Sequence, residues 1–538
     1  MKKKNLRNIV FPALLISLIF SVFSTSGLYF RTEGFTGKSA IVMYFVGVLL
    51  AFWLGISAFL YFRPVFTDTL YKIRGKELSY KKEGLIVFGL LLVCWLPAFL
   101  AVYPGVFGND GPVEILQFFA DNHELTAHHP LAHILMLAVC FMAGHALTGD
   151  YNAGMVIYCV IQALAMAGCF TYVLLWMKRR GSAFLLRVLV LAFFALNPII
   201  QLLVFNTTKD TIFSGLFVVV FTKLLDLLED TEKTAGCWKW CAGFLALTAG
   251  MCLFRKQGYY LLAFVLLGVL VFYLGKKKKA LLLLLVSVLL GWFLMGPLIN
   301  ILGIPQGDSK EMFSVPMQQM ARVWKEYDAG NIQLNEEDVA LLEELIPKEN
   351  LQSYHEDNAD YVKMGFDTEV FKENMGEYIQ LYLKLGIENP MIYINAFGRM
   401  LSGYWDLDQY GYYRSQLYDN TYRENYYNIF DIQRDSLFPH YEQYLMQTVQ
   451  YTQQMSVLRL IYSQALPVWI LVAFFVVKAF EKNRAILGSS LLLVGQWGIL
   501  ILSPAMLVRY AFPLILCVPV MVVLLFEKKK DNRSEENG

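Results

Sequence analysis

GYYLLAFVLLGVLVFYLGKKKKALLLLLVSVLLGWFLMGPLIN (258–300) decides the fold. Two apolar runs flank four consecutive lysines, Lys276 to Lys279. Each run approaches the roughly 20 residues that a helix needs to cross a hydrocarbon core about 30 Å thick. Four lysines between two such runs read as a short cytoplasmic turn, because basic loops stay on the inner side.

The same pattern extends outward in both directions. Hydrophobic residues make up 57% of the 538 and charged residues 17%, with a mean hydropathy of +0.46. Soluble domains carry about 25% charged residues, so a water-soluble globule is excluded. The net charge of +2 is sorted along the chain rather than pooled, and no basic patch points to nucleic acid. Spans are expected near 9–29, 40–62, 85–103, 153–177, 185–205, 211–229, 238–254, 258–275, 280–302, 457–478, 485–503 and 507–526. The fold class is an all-α polytopic membrane protein of about 12–13 transmembrane helices. The start, MKKKNLRNIVFPALLISLIFSVF, has the basic flank of a signal peptide. Its apolar run is too long for one, so it reads as a retained first span.

Lys and Arg assign the sides. They crowd the N-terminus, Arg63 to Lys82, Lys178 to Arg180, Lys276 to Lys279, Lys482 with Arg484, and Lys528 to Lys530. Residues 103–129 contain neither, and form the first outer loop. Both termini are expected in the cytoplasm, which requires an even number of crossings. Residues 130–148 are apolar enough to cross, yet a full crossing would put Lys178 to Arg180 outside. They are therefore expected to be a short or partial span, with a thirteenth full helix as the alternative.

The organisation that follows is a transmembrane region over 1–302, an extracytoplasmic domain over 303–456, C-terminal spans over 457–526 and a cytoplasmic tail over 527–538. A segment as long as 303–456 is not a structureless loop. EEDVALLEELIP (336–347) has helical spacing, and the domain is expected to be mainly helical. The tyrosine-rich stretch 404–430 suits either a cap with rings at the membrane interface or a platform on which sugar faces stack. The eight cysteines lie in or beside apolar segments and suggest no disulfide framework. Cys237 and Cys241, without further ligands nearby, make a poor metal site.

Ionisable groups at membrane depth are costly unless paired or hydrated, and are therefore functional candidates. Four clusters fall on the outer side. YPGVFGNDGPVEILQFFADNHELTAHHP (103–130) carries Asn109, Asp110 and Glu114, and then His128 and His129. Asp110 in that turn is placed to act as a general base or to serve as an ordinary helix cap. Histidines gather here with the carboxylates, although their spacing fits no standard zinc motif. NTTKD (206–210) adds Lys209 and Asp210, and FRKQG (254–258) adds Arg255 and Lys256. LVRYAFP (507–513) adds Arg509 and Tyr510, while VPMQQMARV (315–323) adds Gln318, Gln319 and Arg322. Basic residues on the outer side run against the charge rule and call for an anionic partner, either a lipid phosphate or a neighbouring carboxylate.

With these motifs on the page, the sequence resembles the GT-C superfamily of integral membrane glycosyltransferases. YPGVFGND matches the first outer loop of that family, HHPLAH (128–133) its His-Pro element, NTTKD its second acidic motif and RYAFP its Arg-Tyr element. The likeness covers most of 85–325 and the C-terminal spans. It implies transfer of a sugar, with inversion, from a polyprenyl-phosphate donor to an acceptor on the outer face of a bacterial plasma membrane. It also implies Asp110 as the general base, and Lys209, Arg255 and Arg509 on the donor phosphate. Asp210, with Glu114, would hold the acceptor or a divalent metal ion, for which Asp110 and Asp210 are the candidates. Asn109, His128, His129, Lys256, Gln318, Arg322 and Tyr510 complete the expected substrate-binding set. The sequence departs from the family in having no second carboxylate beside Asp110 and in placing its large loop before the last three spans. A ligase or polymerase of the O-antigen type and a transporter of lipid-linked sugars are the alternatives.

Overall fold

Hydrocarbon offers a backbone N–H or C=O no partner, so an apolar run must satisfy its own hydrogen bonds as a helix. The computed structural model describes residues 7–32, 37–76, 78–108, 110–119, 125–409, 429–450 and 458–528. Among these residues there is no strand, only isolated bridges, and the chain is all-helical. Eight helices are long and apolar enough to cross a membrane, and a ninth such segment is bent by 53°. Four shorter apolar helices, Trp238–Phe254, Gln257–Tyr273, Leu466–Phe480 and Arg484–Leu500, accompany them. The chain is a multi-pass membrane protein.

The first part of the chain forms α1 (Arg7–Arg31), α2 (Lys38–Lys72), α3 (Tyr80–Ala101), α4 (Gly111–Phe119), α5 (Leu131–Thr148), α6 (Asn152–Arg179), α7 (Phe184–Leu196), α8 (Pro198–Val204) and α9 (Lys209–Glu229). Along α2 only Leu60 and Thr67 are buried, while Met43 and Leu54 are 69% and 66% exposed. A helix so apolar and so bare has lipid as its solvent. At the other extreme, α9 and the helix Val508–Leu525 pack together and are buried over most of their length. Their N-termini carry Lys209 with Asp210 and Arg509 with Tyr510. This central pair brings together two clusters that lie far apart in sequence.

The ends of the bundle differ in character. At one end Lys178 and Arg187 pair with Glu83, and Arg180 bridges Glu229 at 2.6 Å and Glu527 at 3.0 Å. Arg63 and Lys478 share Glu481, and Lys528 meets Asp68. The basic stretches at Arg63, Lys178 to Arg180 and Lys528 meet at this end, as expected. The opposite end holds the four candidate clusters and the segment after residue 303. Inside that segment the helices Ser314–Asp328, Glu336–Leu345 and Met375–Glu388 enclose a separate apolar core around Trp324, Leu342, Leu345 and Tyr378. Of the tyrosine-rich stretch, residues 410–428 lie outside the described residues, as do residues 529–538 of the tail.

Three expectations about spans change. First, 130–148 is a complete 18-residue helix, α5, rather than a partial one. Both of its ends nevertheless lie at the site end. It starts beside the Glu114–His133 contact. It finishes where Tyr151 packs 5.7 Å from Phe430 and Gln433 N–H donates to Asn152 at 3.1 Å. The next helix, α6, then runs to the charged end, and Lys178 to Arg180 stay on the expected side. Second, the span expected at 185–205 breaks at Asn197. Pro198 has no N–H to continue the ladder and forces its predecessor out of the helical region, and Asn197 caps α8 by accepting from Ile199 N–H at 2.9 Å. Third, the span expected from 457 begins at Leu466, with Pro467 in its first turn.

Candidate active site

Two loops build the site. After α3, residues 103–108 lie parallel to residues 205–207. Val106 N–H donates to Phe205 O at 2.9 Å, Thr207 N–H to Val106 O at 2.8 Å, and Gly108 N–H to Thr207 Oγ1 at 2.8 Å. Contact this close needs glycine. A Cβ on Gly108 would sit 2.5 Å from Thr207 O, and one on Gly111 would sit 2.4 Å from Thr207 Oγ1. Asp110 O then accepts from Glu114 N–H at 2.9 Å, starting α4, while the Thr208 hydroxyl accepts from Asp210 N–H and caps α9. The first outer loop and NTTKD are thereby clamped in one register.

The clamp produces a six-charge cluster. Lys209 Nζ donates to Asp110 Oδ2 at 2.8 Å and to Glu114 Oε1 at 3.2 Å, and lies 2.9 Å from His129 Nδ1. Arg509 donates to Asp110 Oδ2 at 3.0 Å and reaches Asp210 Oδ2 at 3.5 Å. Arg255 pairs with Asp210 and lies over the Tyr510 ring, as Arg509 does. Arg509 Nε–H is buried and has no partner among the described residues, so a donor is left over. Burial by itself raises the Asp110 carboxyl, but Arg509 and Lys209 outweigh it and hold Asp110 well below the usual carboxylate range. Glu114 is likewise brought to about 2, with burial opposed by His133 and Lys209. Burial and then Lys209 lower His129 to about 4, so it is a neutral imidazole at pH 7.

Behind the charges runs a buried polar chain. Glu114 Oε2 meets His133 Nδ1, and His133 Nε2 lies 2.8 Å from the Tyr158 hydroxyl. That hydroxyl donates to Gln162 Oε1 at 2.8 Å, and Gln162 Nε2 donates to Val204 O at 2.9 Å and Asn206 O at 2.8 Å. The chain starts at the Glu114 carboxylate and ends on the loop carrying Lys209, so it fixes the distance between them. Tyr158 and Gln162 were not among the expected site residues. Their i, i+4 spacing within an apolar helix is the signal that could have found them.

Beside the cluster opens a cavity of about 340 Å³. Lys209, Arg255, Lys256 and His128 form its polar wall. Met295, Ile299, Leu500 and Leu502 also line it, with Glu311, and Leu502 is 65% exposed. Tyr404 steadies this rim from the far segment. Its hydroxyl donates to Ala505 O at 3.1 Å and accepts from Leu507 N–H at 3.2 Å, two residues before Arg509.

Most of the expected residues therefore converge. Asp110, Glu114, His129, Lys209, Asp210, Arg255, Arg509 and Tyr510 form the cluster, and His128 and Lys256 line the cavity. Gln318 and Arg322 do not join them. Gln318 donates to His355 O at 2.6 Å, and Arg322 pairs with Glu356 at 2.7 Å and Glu326 at 2.9 Å inside the far segment. Asn109 lies outside the described residues.

A divalent ion fits this arrangement poorly. The best ligand set among the described residues is Asp110, Glu114 and His129, with ligand atoms within 4.8 Å of one another. Lys209 Nζ already bonds to all three. Asp210, expected as a metal candidate, is turned instead to Arg255 and Arg509.

No curated protein matches the chain. A family profile matches residues 119–538, a range that contains His128, His129, Lys209, Asp210, Arg255, Arg509 and Tyr510 but begins after Asp110 and Glu114. The match spans well over half of the sequence, and the chain belongs to DUF6020, a family of unknown function.

Proposed function

We propose that this protein is a membrane glycosyltransferase that moves a sugar from a polyprenyl-phosphate donor to an acceptor, with the site end facing outward from a bacterial plasma membrane. One observation carries the reading. A carboxylate clamped by two cations sits beside a cavity lined by Lys209, Arg255, Lys256 and the acidic Glu311 together with apolar side chains. A lipid phosphate suits such a cavity, with its phosphate on Arg255 and Lys256 and its chain along Met295, Ile299 and Leu500. Asp110 is the general base for the acceptor hydroxyl. The arginines stabilise the leaving phosphate as its charge grows.

The atoms balance simply. The acceptor oxygen bonds to the anomeric carbon, the bond from that carbon to the phosphate oxygen breaks, and the hydroxyl proton passes to Asp110. Purified protein incubated with a panel of polyprenyl-phosphate sugars tests this through release of free polyprenyl phosphate. Wild type should release it in a sugar-dependent way. Asp110→Asn should bind donor and release at least about 100-fold less, within the usual range for a lost general base. Equal release by both proteins removes Asp110 from the chemistry.

A further inference from the structure

The three side chains best arranged to hold a divalent ion are already joined by a cation belonging to the chain itself. A lysine ammonium has three protons and no acceptor. Three acceptors face Lys209 Nζ: Asp110 Oδ2 at 2.8 Å, Glu114 Oε1 at 3.2 Å and His129 Nδ1 at 2.9 Å. Every proton of the ammonium is thereby matched. The lysine has little freedom to leave. It is the first residue of α9, its side chain is 12% exposed, and its loop is held by Thr207 and by Gln162. Among the described residues the one other Lys or Arg touching Asp110 is Arg509, and it approaches the same oxygen, Oδ2.

We propose that Lys209 is the resident cation of this centre, occupying the position that a divalent ion would take among Asp110, Glu114 and His129. The wild-type centre then excludes divalent ions, because the acceptors are already used and a second cation would sit against the ammonium. His129 is the site's internal check. It accepts from Lys209 through Nδ1 at 2.9 Å, which requires that nitrogen to be unprotonated.

Removing the ammonium should unmask the ion site. Lys209→Ala leaves two carboxylates and an imidazole within 4.8 Å of one another, a donor set that suits Mn²⁺. The test is Mn²⁺ binding to detergent-purified protein, read from the EPR signal of the free aquo ion. We expect one Mn²⁺ per chain in Lys209→Ala, bound at least about 100-fold more tightly than in wild type, and lost again in Lys209→Ala/Glu114→Gln. Lys209→Met, which keeps the volume and removes only the charge, serves if the alanine variant does not fold. Stoichiometric binding to wild type that Glu114→Gln abolishes overturns the proposal. So does a monodisperse Lys209 variant that binds Mn²⁺ no better than wild type. Neither arm involves turnover, so the proposal stands or falls separately from the transferase reading.

Discussion

Glu114→Gln isolates one carboxylate whose environment is unusually well defined. Its side chain is fully buried, it meets His133 on one oxygen, and Lys209 lies 3.2 Å from the other. Folding brings its pKa from 4.5 to about 2. At 1.36 kcal/mol per pKa unit, the ionised group contributes about 3 kcal/mol to the folded state at neutral pH. Because the folded value is depressed, that contribution is complete above pH 4.5. It shrinks as pH falls toward 2 and is gone below that. Glutamine cannot ionise, so the stability gap between wild type and Glu114→Gln should close over the same window. Unfolding entropy for a chain of this length makes about 3 kcal/mol equivalent to a melting shift of only about 3 °C. Hydrogen exchange of the α4 amides is the sharper assay, since the same energy is roughly a hundredfold change in local opening. Faster α4 exchange in the variant at pH 7, with the difference cut to roughly tenfold by about pH 3 and closing toward pH 2, is the expected result. A gap that stays constant across that range, or no gap at pH 7, refutes the assigned role of Glu114.

Other perturbations test the remaining parts of the site. Arg509→Ala should lower turnover by roughly 100-fold or more, and Arg255→Ala somewhat less, measured as polyprenyl phosphate release, because each stabilises charge that grows in the transition state. Wild-type turnover in both variants would sink that assignment. Gly108→Ala places a Cβ 2.5 Å from Thr207 O, so the two loops must part and Asp110 must move from Lys209; a melt and a turnover assay should both show loss. Arg322→Ala breaks pairs with Glu356 and Glu326 in the far segment and should leave turnover within about twofold, with a stability loss of about 1–3 kcal/mol at most. A large fall in turnover for Arg322→Ala would return that residue to the site.

The membrane architecture was legible because hydrocarbon thickness and charge sorting act on composition alone. The basic stretch at 178–180 predicted which ends meet, and its ion pairs to Glu83, Glu229 and Glu527 bear that out. Direction was harder to read. An apolar run such as 131–148 has the same length whether it crosses or runs along one end, so length and composition alone do not give its direction. The candidate site was legible as a set of charges out of place, yet the sequence did not identify their partners. Arg322 looked as anomalous as Arg509, and what separates them is Glu356, a partner 34 residues away in the far segment. Tyr158 and Gln162 went unread because a tyrosine and a glutamine in an apolar helix also suit an interface.

Charge balance constrains how the proposed site would work. Lys209, Arg255 and Arg509 face Asp110, Glu114 and Asp210, so the cluster is neutral before any substrate arrives. Beyond Lys256, which lies outside the cluster, any cation a donor phosphate recruits must come from one of the carboxylates. Glu114 and Asp210 have side chains 0% and 1% exposed and are committed to His133 and Arg255, whereas Asp110 is 26% exposed. Asp110 is therefore the group that yields. While Lys209 and Arg509 hold it, its lowered pKa makes it a poor proton acceptor. When the phosphate draws Arg509 away, the carboxylate keeps only Lys209 and its basicity rises. Donor binding and activation of the base become one event, and the carboxylate becomes competent only when a leaving group is present.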